Sequence, residues 1–228
     1  MKARCRKEVV VVVDVLRFSS SVVVALDKGA KSIIPVKTLV QAKRLYKRDC
    51  RIILAGERGG KMPKGFHLGN SPTELSRANL KDKTIVMTTT NGTAALEYSK
   101  GAKWVLIGSF LNSRAVCKRV LELSRDAADI SIVLASRSGD FFLEDFVCAG
   151  LLVSIVSRER GEMNDVARAA RLAWVTSSSD LETVVRVGSH AKYLESMGYG
   201  EDVDLCLSRD SYDVVPLLRR DRIVRFVN

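Results

Sequence analysis

The chain is poor in the residues that staple small secreted folds and in those that mark the commonest catalytic metal centres. Of its 228 residues only 2 are histidine and 4 are proline, and 6% are aromatic. Five cysteines, at positions 5, 50, 117, 148 and 206, are odd in number and none stands in a CxxC pair. That pattern argues against a disulfide framework or a structural zinc site, and for a reducing, cytoplasmic setting. No apolar run long enough for a membrane span occurs, and no signal-peptide core precedes the first apolar segment. The GxxxxGK[ST] phosphate loop, the DxDxT aspartate pair, the GxSxG elbow and HExxH or Cys–His spacings are all missing. The common nucleotide-hydrolase, serine-hydrolase and zinc-enzyme readings therefore lose their support.

What is present is ordinary in bulk and uneven in charge. Hydrophobic residues make up 46% and charged residues 28%, as in globular domains generally. The length suits one domain over residues 1–228, with a change of character near residue 158 as a candidate sub-lobe boundary. Net charge is +11; residues 1–114 hold 22 Lys and Arg against 8 Asp and Glu, and the remainder hold 15 against 18. A basic half concentrates small anions and speeds their capture. It would also attract nucleic acid, but the basic residues have few aromatics among them and no nucleic-acid motif, so no nucleic-acid partner is expected. No membrane partner is expected either, and the size class is one in which homodimers are common.

Short apolar runs alternate with helix-like segments over Leu39–Tyr46, Asn112–Ser124 and Leu143–Ser157. That alternation predicts an α/β fold: a three-layer α/β/α arrangement on a mostly parallel sheet, whose parts could form two lobes around a cleft. The strands lack a two-residue alternation, as expected when both faces are covered. Ser71-Pro72-Thr73-Glu74 predicts a capped helix starting after Asn70. Beyond residue 158, helices are expected over Asn164–Val175 and Leu181–Val187, the latter capped by Ser179, with late strands over Val203–Leu207 and Ile223–Val227.

Polar motifs stand where the buried strands should end, which is where open parallel sheets bind ligands. Val9–Val13 leads into Asp14 and Arg17: a carboxylate suited to Mg²⁺ or to nucleophilic or basic work, and a guanidinium that can fork two oxyanion oxygens. An internal Asp14–Arg17 ion pair is the plain alternative. Ser19 and Ser20 open the following helix and offer hydroxyls to an anion, or simply cap it. Ile52–Ala55 leads into Gly56-Glu57-Arg58-Gly59-Gly60, with Glu57 suited to a metal and Arg58 to an oxyanion. Ile85–Met87 leads into Thr88-Thr89-Thr90-Asn91-Gly92-Thr93, whose hydroxyls, amide and turn N–H groups can cradle phosphate oxygens. Asn70 and Ser71 precede the capped helix, and Asn112 ends the loop after Val105–Ile107. After Ile130–Ala135 come Ser136–Asp140, and then Glu144 and Asp145 enter a helix as either dipole partners or catalytic acids. His67 and Cys148 read as structural.

These motifs together, with Val203-Asp204-Leu205-Cys206 and Val215-Pro216 near the end, resemble the 2-phosphosulfolactate phosphatase family over nearly the whole chain. Two departures are visible: few residues precede the Val-Asp strand, and His67 stands where the family often has Asp. The resemblance implies an α/β/α layered fold of its own type. It implies Mg²⁺-dependent hydrolysis of 2-phospho-3-sulfolactate to 3-sulfolactate and phosphate, a step of coenzyme M synthesis. Together with the residue chemistry it assigns Asp14, Glu57, Glu144 and Asp145 as catalytic, Asp14 and Glu57 as metal-binding, and Arg17, Ser19, Ser20, Arg58, Asn70, Ser71, Thr88, Thr89, Thr90, Asn91 and Asn112 as substrate-binding. The substrate expected is a small anion. The alternatives are another small phosphorylated acid as substrate, or a basic nucleic-acid-binding protein.

Overall fold

A computed structural model of the chain describes residues 8–125, 129–135 and 141–227. Among these, eight strands form one open sheet. The apolar runs become β1 (Val9–Val13), β2 (Ser32–Pro35), β3 (Ile53–Gly56), β4 (Thr84–Thr88), β5 (Trp104–Gly108) and β6 (Ile130–Leu134); a terminal hairpin adds β7 (Pro216–Arg219) and β8 (Arg222–Arg225). The spatial order is β3-β4-β2-β8-β7-β5-β1-β6. β1 pairs in parallel with β5 and β6, and β4 pairs in parallel with β2 and β3. The hairpin joins these two triplets through antiparallel contacts, Ile33 opposite Ile223 and Leu106 opposite Leu217.

Three antiparallel steps separate β2 from β5, so the two triplets run in opposite directions. This differs from the sequence expectation of a single crevice fed by every strand end. The reason lies in the last residues: an antiparallel hairpin, of which only the Ile223–Val227 run was legible, sits between two parallel units.

Helices cover both faces. Val10 and Val12 of β1 share a core with α1 (Phe18–Asp27), α3 (Pro72–Arg77) and α4 (Gly92–Tyr98), together with Ile33, Ile85 and Met87 from the other triplet. Val9, Val11 and Val13 point the other way, into a core with α5 (Ser113–Leu123) and α6 (Leu143–Val156). α2 (Leu39–Arg48) closes a smaller core over Ile34, Leu54 and Val86. The unbroken valine run is thus explained by apolar packing on both sides of the strand. Ser71 caps α3 as expected, its Oγ accepting from the Glu74 amide at 3.0 Å.

The second half is more helical than its sequence suggested. α7 (Asp165–Ser177), α8 (Leu181–Arg186), α9 (Ser189–Ser196) and α10 (Gly200–Leu207) follow one another before the hairpin. The Val203–Leu207 run is therefore helical, not a strand; Glu201 and Asp202 in its first turn suit the positive end of a helix. The cap of α8 is Asp180, not Ser179; its carboxylate accepts from the Thr183 amide. No helix of the described residues is long and apolar enough to cross a membrane.

Candidate active site

The loops after β1, β3 and β4 meet although their strands belong to opposed triplets. The join is made by helix starts. Gly92 opens α4 flat against Phe18 at the start of α1; a Cβ there would lie 2.3 Å from the Phe18 ring. Gly56 ends β3 with φ 147° beside the Thr88 carbonyl, where a Cβ would sit 2.1 Å from the oxygen. Only glycine tolerates that backbone at that distance. It lets the Glu57 amide bond Thr88 O at 3.0 Å and turns the Glu57 side chain inward.

The result is a cavity of about 390 Å³ lined by Asp14, Arg17, Glu57, Gly59, Gly60, Asn70, Thr89, Thr90 and Asn91, with Phe142 and, from α9, Ser189, His190, Tyr193 and Leu194 on its other side. Glu57 staples the loops: Oε1 accepts from the Thr90 amide at 2.6 Å and Oε2 from the Gly60 amide at 3.0 Å. Asp14 Oδ1 accepts from the Phe18 amide at 3.2 Å, and the Asp14 amide donates to Ser19 Oγ at 2.9 Å. Burial raises the Asp14 carboxyl to a pKa of about 6, with Glu57 and Glu144 pushing the same way and His190 and the Phe18 amide opposing.

Arg17 is occupied by the protein itself. Its Nη1 donates to Asp202 Oδ2 at 2.6 Å, its Nη2 donates to Gly60 O at 2.7 Å, and its guanidinium lies 4.1 Å from the Tyr199 ring centroid. The partner is thus Asp202 and not Asp14. Asp202 also accepts from Ser71 Oγ at 2.6 Å and from the Thr73 amide at 3.2 Å, tying α3 to α10. A cis peptide joins Leu16 to Arg17.

Of the sequence-derived set, the structure brings Asp14, Arg17, Glu57, Asn70, Thr89, Thr90 and Asn91 to one cavity. Asn70 carries a buried amide oxygen with no hydrogen-bond partner among the described residues. Eight others lie outside its lining. Ser19 and Ser20 hold the β1–α1 turn through Val12 O, the Asp14 amide and Val15 O. Arg58 donates to Glu57 O, Lys37 O and the Thr88 hydroxyl, which commits Thr88 as well. Asn112 is fully buried; its Nδ2 donates to Ile107 O and Val214 O, and its Oδ1 accepts from the Ser109 amide. Ser71 stands just behind the cavity as cap and Asp202 partner. Glu144 and Asp145 form a layer beneath it: Asp145 Oδ1 accepts from the Val15 amide at 2.7 Å, and burial, then Glu144 and Asp14, push its carboxyl well above the usual range. Ser136–Asp140 fall outside the described residues. His67 is structural as read, its Nδ1 accepting from the Leu54 amide at 2.8 Å. Cys148 is buried among apolar side chains, which raises its thiol well above the ordinary value and suits packing.

Sequence reasoning missed His190, Tyr193, Tyr199 and Asp202. His190 Nδ1 meets Glu144 Oε1 at 2.8 Å, and its ring lies 4.5 Å from that of Phe142. The Tyr193 hydroxyl donates to Gly59 O at 3.1 Å. The partners of these residues are 46 to 185 positions away; the only local signal was a histidine at a helix start after Gly188-Ser189.

The charge balance in the cavity reverses that of the surrounding half-chain. Asp14 and Glu57 face it, Arg17 is neutralised by Asp202, and His190 is shared with Glu144. A polyanion enters such a cavity readily only with a cation. Among the described residues no three His, Cys, Asp or Glu side chains are grouped to hold a metal unaided. Two carboxylates and the orphan Asn70 Oδ1 are, however, an all-oxygen donor set of the kind Mg²⁺ takes, since it keeps several waters and accepts one or two carboxylates plus substrate oxygens.

Known proteins align with this arrangement along its length. Residues 1–221 match the family described as 2-phosphosulpholactate phosphatase. A probable 2-phosphosulfolactate phosphatase of Clostridium novyi is 35% identical over 224 residues, covering 97% of this chain and 94% of its own. Those of Thermotoga petrophila and Thermotoga maritima are 41% and 40% identical over 208 residues, covering 91% of this chain and 88% of theirs. With its Asp14, Glu57 and Thr-Asn loops joined in one cavity, the chain belongs to the 2-phosphosulpholactate phosphatase family.

Proposed function

We propose that this protein is a cytoplasmic, Mg²⁺-assisted phosphatase that converts 2-phospho-3-sulfolactate and water to 3-sulfolactate and phosphate, serving coenzyme M synthesis. Family membership supports the reaction, and the four cysteines of the described residues, all unpaired, support the reducing compartment. The observation that supports the metal is the cavity's charge: two inward carboxylates and, among the described residues, no surplus cation.

Asp14, Glu57 and Asn70 Oδ1 are the groups that would hold the ion. When bound it would supply positive charge to the phosphoryl oxygens. The chain's own residues do the positioning. Thr89, Thr90 and Asn91 present hydroxyl and amide groups at the mouth of the β4 loop, where Asn91 has no capping bond to occupy it. Glu57 fixes that loop through the Thr90 amide and the glycine turn through the Gly60 amide. Asp14, with one oxygen on the Phe18 amide, keeps the other for the reacting centre, as nucleophile or as the group that orients water. Fixed geometry of this kind supplies much of an enzyme's rate.

A phosphate-release assay across small phosphorylated acids, with Mg²⁺ or with chelator, tests the reading. 2-Phosphosulfolactate should be hydrolysed fastest, and chelator should abolish release. Asp14→Asn should lower kcat by roughly 10³-fold with the fold intact, since positioning and electrostatics at the reacting centre are lost. Metal-independent release, or near wild-type turnover by the variant, would overturn the assignment. Trapping a phosphoenzyme in a single turnover separates attack by Asp14 from attack by water.

A further inference from the structure

We propose that His190 is the proton donor to the leaving ester oxygen and that Glu144 is its positioning residue; this rests on the phosphatase reading above. The ester bond to be broken is alkyl, so its oxygen departs as a strongly basic alkoxide unless a proton reaches it. The cavity holds few groups able to give one. Arg17 is bound to Asp202 and Gly60, and the Tyr193 hydroxyl is bound to Gly59 O. Among the described residues no lysine lines the cavity. His190 does line it, and imidazole is the side chain that most readily exchanges protons near neutrality.

Its ring is built in, not merely present. Glu144, 1% exposed, takes Nδ1 at 2.8 Å, and Phe142 packs on the ring face at 4.5 Å. Nε2 is left without a partner among the described residues. With Nδ1 donating to the carboxylate, Nε2–H is the proton available to the cavity, a base oriented by a third group as in other acid–base pairs. Among the described residues Glu144 Oε2 is buried with no partner, and the carboxylate makes no other side-chain or backbone bond that would compete for it. Glu144 opens α6 and His190 sits in α9, so the pair also fixes where α9 rests over the cavity.

In the step itself the attacking oxygen forms a new P–O bond while the ester P–O bond breaks. Its electron pair stays on the substrate oxygen, which takes the Nε2 proton and leaves as the alcohol. The water that ends on phosphorus releases a proton, and that proton returns to Nε2 and restores the imidazolium. One water is consumed, and its hydrogen and hydroxyl are divided between alcohol and phosphate.

The test is leaving-group dependence. Wild type, His190→Asn and Glu144→Gln are assayed with 2-phosphosulfolactate, an alkyl ester, and with p-nitrophenyl phosphate, whose phenolate leaves without protonation. His190→Asn should lower kcat on the alkyl ester by about 10²–10⁴-fold, the usual range for a lost general acid, and on the aryl ester by less than about 5-fold. Glu144→Gln should show the same preference more weakly. Equal losses on both esters, with unchanged circular dichroism and melting temperature, would overturn the proposal, as would full alkyl-ester activity in His190→Asn. If His190→Asn does not fold, Glu144→Gln decides by the same ratio. Wild-type inactivity on every ester would instead sink the phosphatase reading itself.

Discussion

Asp202→Ala is the perturbation whose size the structure fixes best. The Arg17–Asp202 ion pair is 2.6 Å long and both side chains are 2% exposed. Removing the aspartate strands a guanidinium in the interior, where breaking one side of a buried pair costs about 3–5 kcal/mol. Ser71 Oγ and the Thr73 amide lose the same acceptor, so the upper half of that range is expected. For a chain of this size each kcal/mol moves the melting point by about 2–4 °C, giving a fall of roughly 8–20 °C. Urea unfolding and thermal melts at one pH measure it. The argument makes a second, sharper claim. The double variant Arg17→Met, Asp202→Leu removes both charges and should be more stable than Asp202→Ala by at least about 2 kcal/mol, because apolar replacements of a whole buried pair are often neutral or better. If the double variant is as unstable as the single one, the lone charge is not what the single variant suffers from, and the reasoning fails.

Other outcomes follow from neighbouring features. Burial holds the Asp145 carboxyl above its ordinary value of 3.8, so the folded state keeps a proton the unfolded chain has lost, and stability falls as pH rises above about 4. Asp145→Asn should therefore gain on wild type as pH rises and match it near pH 3; denaturant titrations across that range would refute this by showing a constant gap. Gly92→Ala places a methyl 2.3 Å from the Phe18 ring, which should cost about 1–3 kcal/mol and, by parting the two helix starts, lower kcat/KM by about 10-fold or more; wild-type kinetics would deny the link. Mg²⁺ at 100 times its dissociation constant should raise stability by about 2.7 kcal/mol, visible in a melt without substrate, and Asp14→Asn should abolish the gain; no shift in wild type would remove the ion from the free enzyme.

Five of the six parallel strands and most helices were legible because their signals are local; β2 and the division into two opposed triplets were not. The five valines of β1, the Ser71-Pro72-Thr73-Glu74 cap and the Leu143–Ser157 segment each declare themselves within a few residues. Val203–Leu207 misled because a short apolar run fits either period; Glu201 and Asp202 before it, which suit a helix start, were not read. β7 is four residues long and opens on Pro216, so nothing in its own composition announced an interior position in a sheet. In the site, the glycine and threonine loops were visible because strand ends are natural ligand positions. The commitments of Arg17 and Arg58 were not, since their partners are a carboxylate 185 residues away and carbonyls of neighbouring loops. His190 stayed hidden for the same reason: its partner is Glu144, 46 residues earlier.

The hairpin at the centre of the sheet has a consequence for how the protein comes off the ribosome. β2 and β5 are made early, yet the strands that fill the gap between them are translated more than 100 residues after β5. Until then each three-stranded unit carries a bare inner edge, a template for pairing with another nascent copy. The contacts that end this exposure are among the longest in sequence, which slows their formation. Chaperone dependence and inclusion-body yield should therefore respond to changes in residues 216–225 more steeply than equilibrium stability does.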